Sequence, residues 1–211
     1  MNTYSPKRAY RQSARAIAAE ATAERIVDVF FAAIREGWFD EIRLEDIARG
    51  AGVTVQTVIR RFGGKEGLLD ALKGQMNVKV DQRRDVEAGD ARGVVASLLS
   101  DYEEHGDIMM RMLAQEDRFP ACRAVTDHGK RMHRQWITKA FAPWLEALAP
   151  DARRRAEDAL VIAGDLYVWK LMRRDMQRPL SEYQDVMETM LATAIGVPRA
   201  ELLGETGGEP G

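Results

Sequence analysis

Residues 54–62 crowd together four side chains with recognition chemistry: Gln56, Thr57, Arg60 and Arg61. An amide donates and accepts at once, and a guanidinium presents a planar fork of donors. Such groups suit flat polar edges and anions. Placed on a helix at about 100° per residue, Val58 and Phe62 point one way with Thr54 beside them, while Gln56 and Arg60 point opposite. A rigid cylinder with one apolar side and one donor-rich side fits the major groove of duplex DNA, where Gln pairs with adenine edges and Arg with guanine. Lys65 follows the Gly63-Gly64 pair at the start of the next helix, where an ammonium and a helix N-terminus both favour phosphate.

These residues need elements to hold them. The chain predicts an all-α protein, with long segments at a period near ~3.6 and no alternating β-branched runs. A first helix over 18–36 carries Ile26, Val29, Phe30, Ala33 and Ile34 on one stripe, and Gly37 ends it. A short second helix, 44–50, turns Leu44, Ile47 and Ala48 inward. Gly52-Val53 makes a corner, and the Thr54 hydroxyl can cap a third helix over 54–62. A fourth, 65–80, brings Leu68, Leu69 and Leu72. Two short helices joined by a tight corner, the second facing outward, form a helix-turn-helix, whose second helix reads bases near its N-terminal end.

The string "AERIVDVFFAAIREGWFDEIRLEDIARGAGVTVQTVIRRFGGKEGLLDAL" resembles the DNA-binding domain of the TetR family of transcriptional regulators. The resemblance covers about 20–75. It rests on Arg25-Ile26, Gly37-Trp38, Asp46-Ile47-Ala48, Ala51-Gly52-Val53, Thr57, Phe62, Lys65-Glu66 and Leu68-Leu69. It implies a homodimer on a roughly palindromic operator of double-stranded DNA, usually a repressor, released by a small-molecule effector in the second domain. Carried over position by position, it assigns DNA contacts to Thr54, Val55, Gln56, Thr57, Ile59, Arg61 and Lys65. Two positions depart from the family. Ile59 stands where Tyr or Trp usually supplies a phosphate contact, and Arg43 stands where Thr or Ser usually caps the second helix; Arg43 caps poorly but can reach a phosphate itself. Specificity is expected from Gln56 and Thr57 and backbone positioning from Arg43, Arg61 and Lys65, with Arg60 serving either purpose. The same two departures leave open a protein that keeps the fold, binds a partner or ligand, and has weakened DNA recognition.

The polar, glycine-bearing stretch 85–93 is the expected domain boundary. It divides a basic arm (1–17) and a DNA-binding domain (18–80) from a helical ligand-binding and dimerisation domain (91–200) and a glycine-rich tail (201–211). Helices are expected there at 92–105, 106–118, 121–147, 152–176 and 182–195, with prolines near the junctions. The last two carry small and apolar residues, among them Ala159, Ala163, Tyr167, Val186, Met187 and Met190, which suit a four-helix dimer seam and equally describe an internal core. Methionines and aromatics between 102 and 169 can line an apolar pocket, with Met109, Trp136, Tyr167 and Trp169 as its candidates; at helical spacing they also read as core.

Composition excludes several classes. At 45% hydrophobic and 30% charged residues the chain can bury a core, and its net charge of −2 gives no global field. The charge is uneven: residues 1–80 hold 13 Lys and Arg against 10 Asp and Glu, and the remainder 18 against 23. Lys7, Arg8, Arg11 and Arg15 precede any acid, an arm that can hold phosphate. Cys122 is the single cysteine, which excludes an intrachain disulfide and fits a cytoplasmic protein. No apolar run approaches the ~20 residues of a membrane span. His128 and His133 do not share a helical face, so no metal is expected, nor any cofactor. No nucleophile–base or carboxylate cluster argues for an enzyme.

Overall fold

A computed structural model describes residues 6–205, and no strand occurs among them. The chain divides into two compact units between Met76 and Asn77.

The first unit is built from α1 (Pro6–Glu36), α2 (Leu44–Gly50), α3 (Val55–Phe62) and the start of α4 (Lys65–Arg83). Its core takes Ile26, Phe30 and Ile34 from α1, Ile47 and Ala48 from α2, Val58 from α3 and Leu68, Leu69 and Leu72 from α4, all buried, around Phe39. Gly52 makes the corner between α2 and α3 at φ 66°, a backbone state that a side chain resists. Helix α1 starts at Pro6 rather than at 18, because the alanines between 14 and 23 are strong helix formers and carry the helix backward. Residues 6–17 of the anticipated arm are therefore helical, and residues 1–5 lie outside the described residues.

The second unit comprises α5 (Ala91–Gln115), α6 (Pro120–Ala140), α7 (Ala142–Leu145), α8 (Pro150–Ala163), α9 (Leu166–Lys170), a π-helical turn (Leu171–Asp175), α10 (Leu180–Ile195) and α11 (Arg199–Leu202). α5 packs on α6, and α8 on both α6 and α10. Leu98, Phe141, Leu145, Leu160, Trp169, Tyr183, Met187 and Leu191 fill the space between them.

Three expectations about helix ends are corrected here. The pair 92–105 and 106–118 is one helix, α5. Gly106 looks like a break but sits inside it, because an added Cβ there would land on the Trp169 indole. The expected 121–147 ends at Ala140, since Pro143 has no N–H to continue the ladder. The expected 152–176 breaks after Ala163. Asp165 turns extended (φ −80°, ψ 148°), and its carboxylate accepts from the Tyr167 N–H at 2.8 Å, which opens a new helix.

The unit boundary also falls earlier than the loop at 85–93. The end of α4 belongs with the second unit because Arg83 binds Asp101 (3.0 Å) and Arg84 stacks on Trp136 (4.9 Å to the ring centroid). At the other end, the tail begins in ordered structure: Leu202 and Leu203 are buried, and Arg92 donates to the Leu203 carbonyl at 2.6 Å. Residues 206–211 of that tail lie outside the described residues.

Candidate nucleic-acid interface

The third helix starts as its sequence demands. Thr54 is extended (φ −89°, ψ 153°), and its Oγ1 accepts from the Thr57 N–H at 3.2 Å. The Thr57 hydroxyl lies 3.0 Å from Thr54 Oγ1, so the two hydroxyls are engaged with each other. At α2, Arg43 occupies the cap position without a side-chain hydrogen bond to the backbone, and its guanidinium is exposed.

The two faces of α3 separate cleanly. Val58 is fully buried and Phe62 half-buried; Gln56, Ile59, Arg60 and Arg61 are exposed, and Val55 and Thr57 are intermediate. Among the described residues, Gln56, Arg60 and Arg43 have no hydrogen-bond or ion-pair partner in the chain. Their donors face solvent.

Two other candidate residues are engaged within the unit. The Arg61 Nη2 lies 2.6 Å from Glu20 Oε2 on α1, at the rim of a cleft of about 400 Å3 lined by Glu24, Val27, Phe62 and Gln75. The Lys65 ammonium donates to the Phe39 carbonyl (2.9 Å) and the Asp40 carbonyl (3.2 Å) and sits 5.0 Å from the Phe39 ring centroid. An ammonium has three donors, so one remains. Glu20 and Phe39 were not among the residues singled out from the sequence. Each acts through a contact across 41 or 26 positions of chain, which periodicity does not reveal.

The second unit rearranges the remaining candidates. Trp136 and Trp169 are core: Trp136 donates its Nε1–H to the Arg84 carbonyl at 2.8 Å, and Trp169 donates to Glu103 Oε1 at 2.8 Å. Tyr167 is 56% exposed, facing away from any interior, and Met109 is half-buried on α5. Of the proposed seam residues, Ala163 and Met187 are buried in the unit's own core, because α8 and α10 pack on each other along those sides. Ala159 and Met190 are half-buried, and Val186 is exposed. The large apolar side chains that remain in solvent include Ile162, Tyr167, Leu171, Met176, Leu180 and Val186, all on the α8–α10 stretch.

Beside this stretch, the Glu103 carboxylate is held by Arg173 (2.8 Å), which pulls its pKa down to about 2. Arg174 stacks over Trp169 at 4.4 Å and binds Asp107 at 2.9 Å. Among the described residues no group of three His, Cys, Asp or Glu could hold a metal ion, and no helix is long and apolar enough to cross a membrane.

This is the architecture of a helix-turn-helix regulator with a larger all-helical second unit. Residues 31–72 match the sequence profile described as bacterial regulatory proteins, tetR family. No curated protein matches the chain in sequence. In fold, the chain is similar to a protein from Pseudomonas aeruginosa PAO1 described as a transcriptional regulator, at 15% identity and a TM-score of 0.62, covering 87% of this chain and 94% of that one. It is also similar to a TetR-family transcriptional regulator from Streptomyces coelicolor, at 14% identity and a TM-score of 0.58, covering 88% of each. The chain thus carries the TetR-family DNA-binding domain within a TetR-like all-helical fold.

Proposed function

We propose that the protein is a sequence-specific, non-enzymatic transcriptional regulator that binds a palindromic operator as a homodimer and is released by a small-molecule effector held in its second unit. The observation that carries this reading is the unpartnered donor set on α3. Gln56 and Arg60 are exposed and unbound on a helix whose opposite side is anchored by Val58. A free amide and a free guanidinium on one rigid face meet adenine and guanine edges without first breaking an internal contact. Arg43 and the third donor of Lys65 then serve phosphates, which fix register rather than sequence. The exposed apolar set from Ile162 to Val186 supports the homodimer, since a monomer leaving it in water would gain nothing from those residues.

The test is selection of random duplexes on the purified protein at physiological salt. An enriched inverted repeat is expected, and Gln56→Ala should alter the preferred bases more than the affinity for unrelated duplex. An unaltered motif removes Gln56 from readout. One observation favours a second reading: Ile59 is 40% exposed and Arg61 is tied to Glu20, so two usual phosphate contacts are missing. A fold-retaining binding protein without DNA recognition would enrich no motif.

A further inference from the structure

Within the second unit, the loop after α4 and the first turns of α5 enclose a groove of about 560 Å3, lined by Arg83, Asp85, Glu87, Asp90, Ser97 and Ser100. Its charges do not balance. Arg83 is engaged by Asp101 and by Glu104 (2.5 Å). Asp90 caps α5, its Oδ1 accepting from the Gly93 N–H at 2.8 Å, so its charge offsets the positive end of that helix. Asp85 and Glu87 are exposed and, among the described residues, have no partner.

Surface carboxylates alone define nothing. The second observation is Ser97, 8% exposed, whose Oγ is out of solvent and has no hydrogen-bond partner. A helical serine ordinarily bonds back to a carbonyl one turn earlier. Here the hydroxyl stands in the groove's lining with its bonding capacity unused, and a buried polar atom in that state calls for a partner.

We propose that this groove binds a linear organic cation carrying two or more ammonium groups, and that such a di- or polyamine is the effector of the regulator. The effector half of this statement rests on the function proposed above. The unpaired carboxylates set the sign of the ligand. Their spacing sets its shape: no three acidic or imidazole groups among the described residues converge on one point, so the groove suits separated charges rather than a metal ion. Its volume falls in the ~300–1,000 Å3 range of small-molecule sites. One ammonium donates to Ser97 Oγ, and a second pairs with Asp85 and Glu87 at the rim.

Calorimetric titration of the full chain with spermidine, at physiological ionic strength, tests the site. Saturable binding is expected, with D85N/E87Q weakening it about tenfold, the weight of two screened charge pairs. Ser97→Ala should weaken it by about tenfold too, while raising the thermal midpoint, since it deletes an orphaned hydroxyl. Unchanged binding in these variants, or Mg2+ competing as well as spermidine at matched ionic strength, overturns the proposal. Because spermidine also coats DNA, release is scored as a difference on the duplex recovered by selection. Release of the wild type but not of D85N/E87Q supports the effector role; equal release overturns it. If neither protein retains any duplex, the regulatory reading fails, while the calorimetry still decides the groove.

Discussion

Arg61 illustrates how one residue is divided between two demands. Its guanidinium lies beside the nucleic-acid face, yet Glu20 holds it at 2.6 Å. Both partners are partly in solvent, so the pair is weak and a phosphate can displace it. Glu20→Gln should therefore tighten duplex binding and steepen the slope of log K against log salt by about one, read by fluorescence anisotropy over a salt series. An unchanged slope would show that Arg61 never reaches phosphate. His133 carries a different consequence. Its Nε2 lies 3.2 Å from the Val161 carbonyl, which only accepts, so Nε2 holds the proton and Nδ1 stays bare. Burial pushes the imidazole pKa below the usual 6.5. The unfolded chain takes up a proton near 6.5 that the fold refuses. The stability is thus complete above that pH and declines as pH falls toward the depressed folded value. Thermal midpoints across this range should fall on acidification, and His133→Gln should flatten the decline; His105, also lowered by burial, supplies the remainder. Glu103, lowered to about 2 by Arg173, adds a further loss between 4.5 and 2.

At the scale of elements, the contact between α5 and α9 depends on one missing side chain. Trp169 lies against Gly106, so Gly106→Ala forces the indole out of its seat. Overpacking of this kind costs about 1–3 kcal/mol, and chemical denaturation should show the loss while α3 and its duplex binding remain intact. The same glycine shows where the sequence misleads. Read locally, it marks a helix end; in the fold it is a notch cut for a ring 63 positions away. By contrast α2 was legible residue for residue and α3 to within one, because Thr54, Gly52 and the Val58–Phe62 stripe are local signals. The outward face of α3 was legible for the same reason, and Gln56 and Arg60 stand where the helical wheel placed them. What stayed hidden was long-range: the hold of Glu20 on Arg61, of Phe39 on Lys65, and the burial of Ala163 and Met187 inside the unit. An apolar stripe states that a face is covered and not by what.

At the scale of the whole molecule, the apolar residues left in water on the α8–α10 stretch decide the assembly. Ile162 (58% exposed) and Val186 (38%) are the side chains to charge, because both are on the surface and neither supports the core. Sedimentation equilibrium should find the wild type as a dimer and the Ile162→Glu, Val186→Glu double variant as a folded monomer. A dimer that survives both glutamates would put the seam elsewhere. Loss of pairing should also abolish tight operator binding, since a palindrome rewards two linked readers. One last feature turns from architecture into instrument. Cys122 is the lone sulfhydryl and has no exposed surface at the start of α6. A thiol-reactive dye therefore stays unreacted until that helix lifts away, and the colour it develops clocks the breathing of the second unit, with no engineered label and no competing thiol to confuse the count.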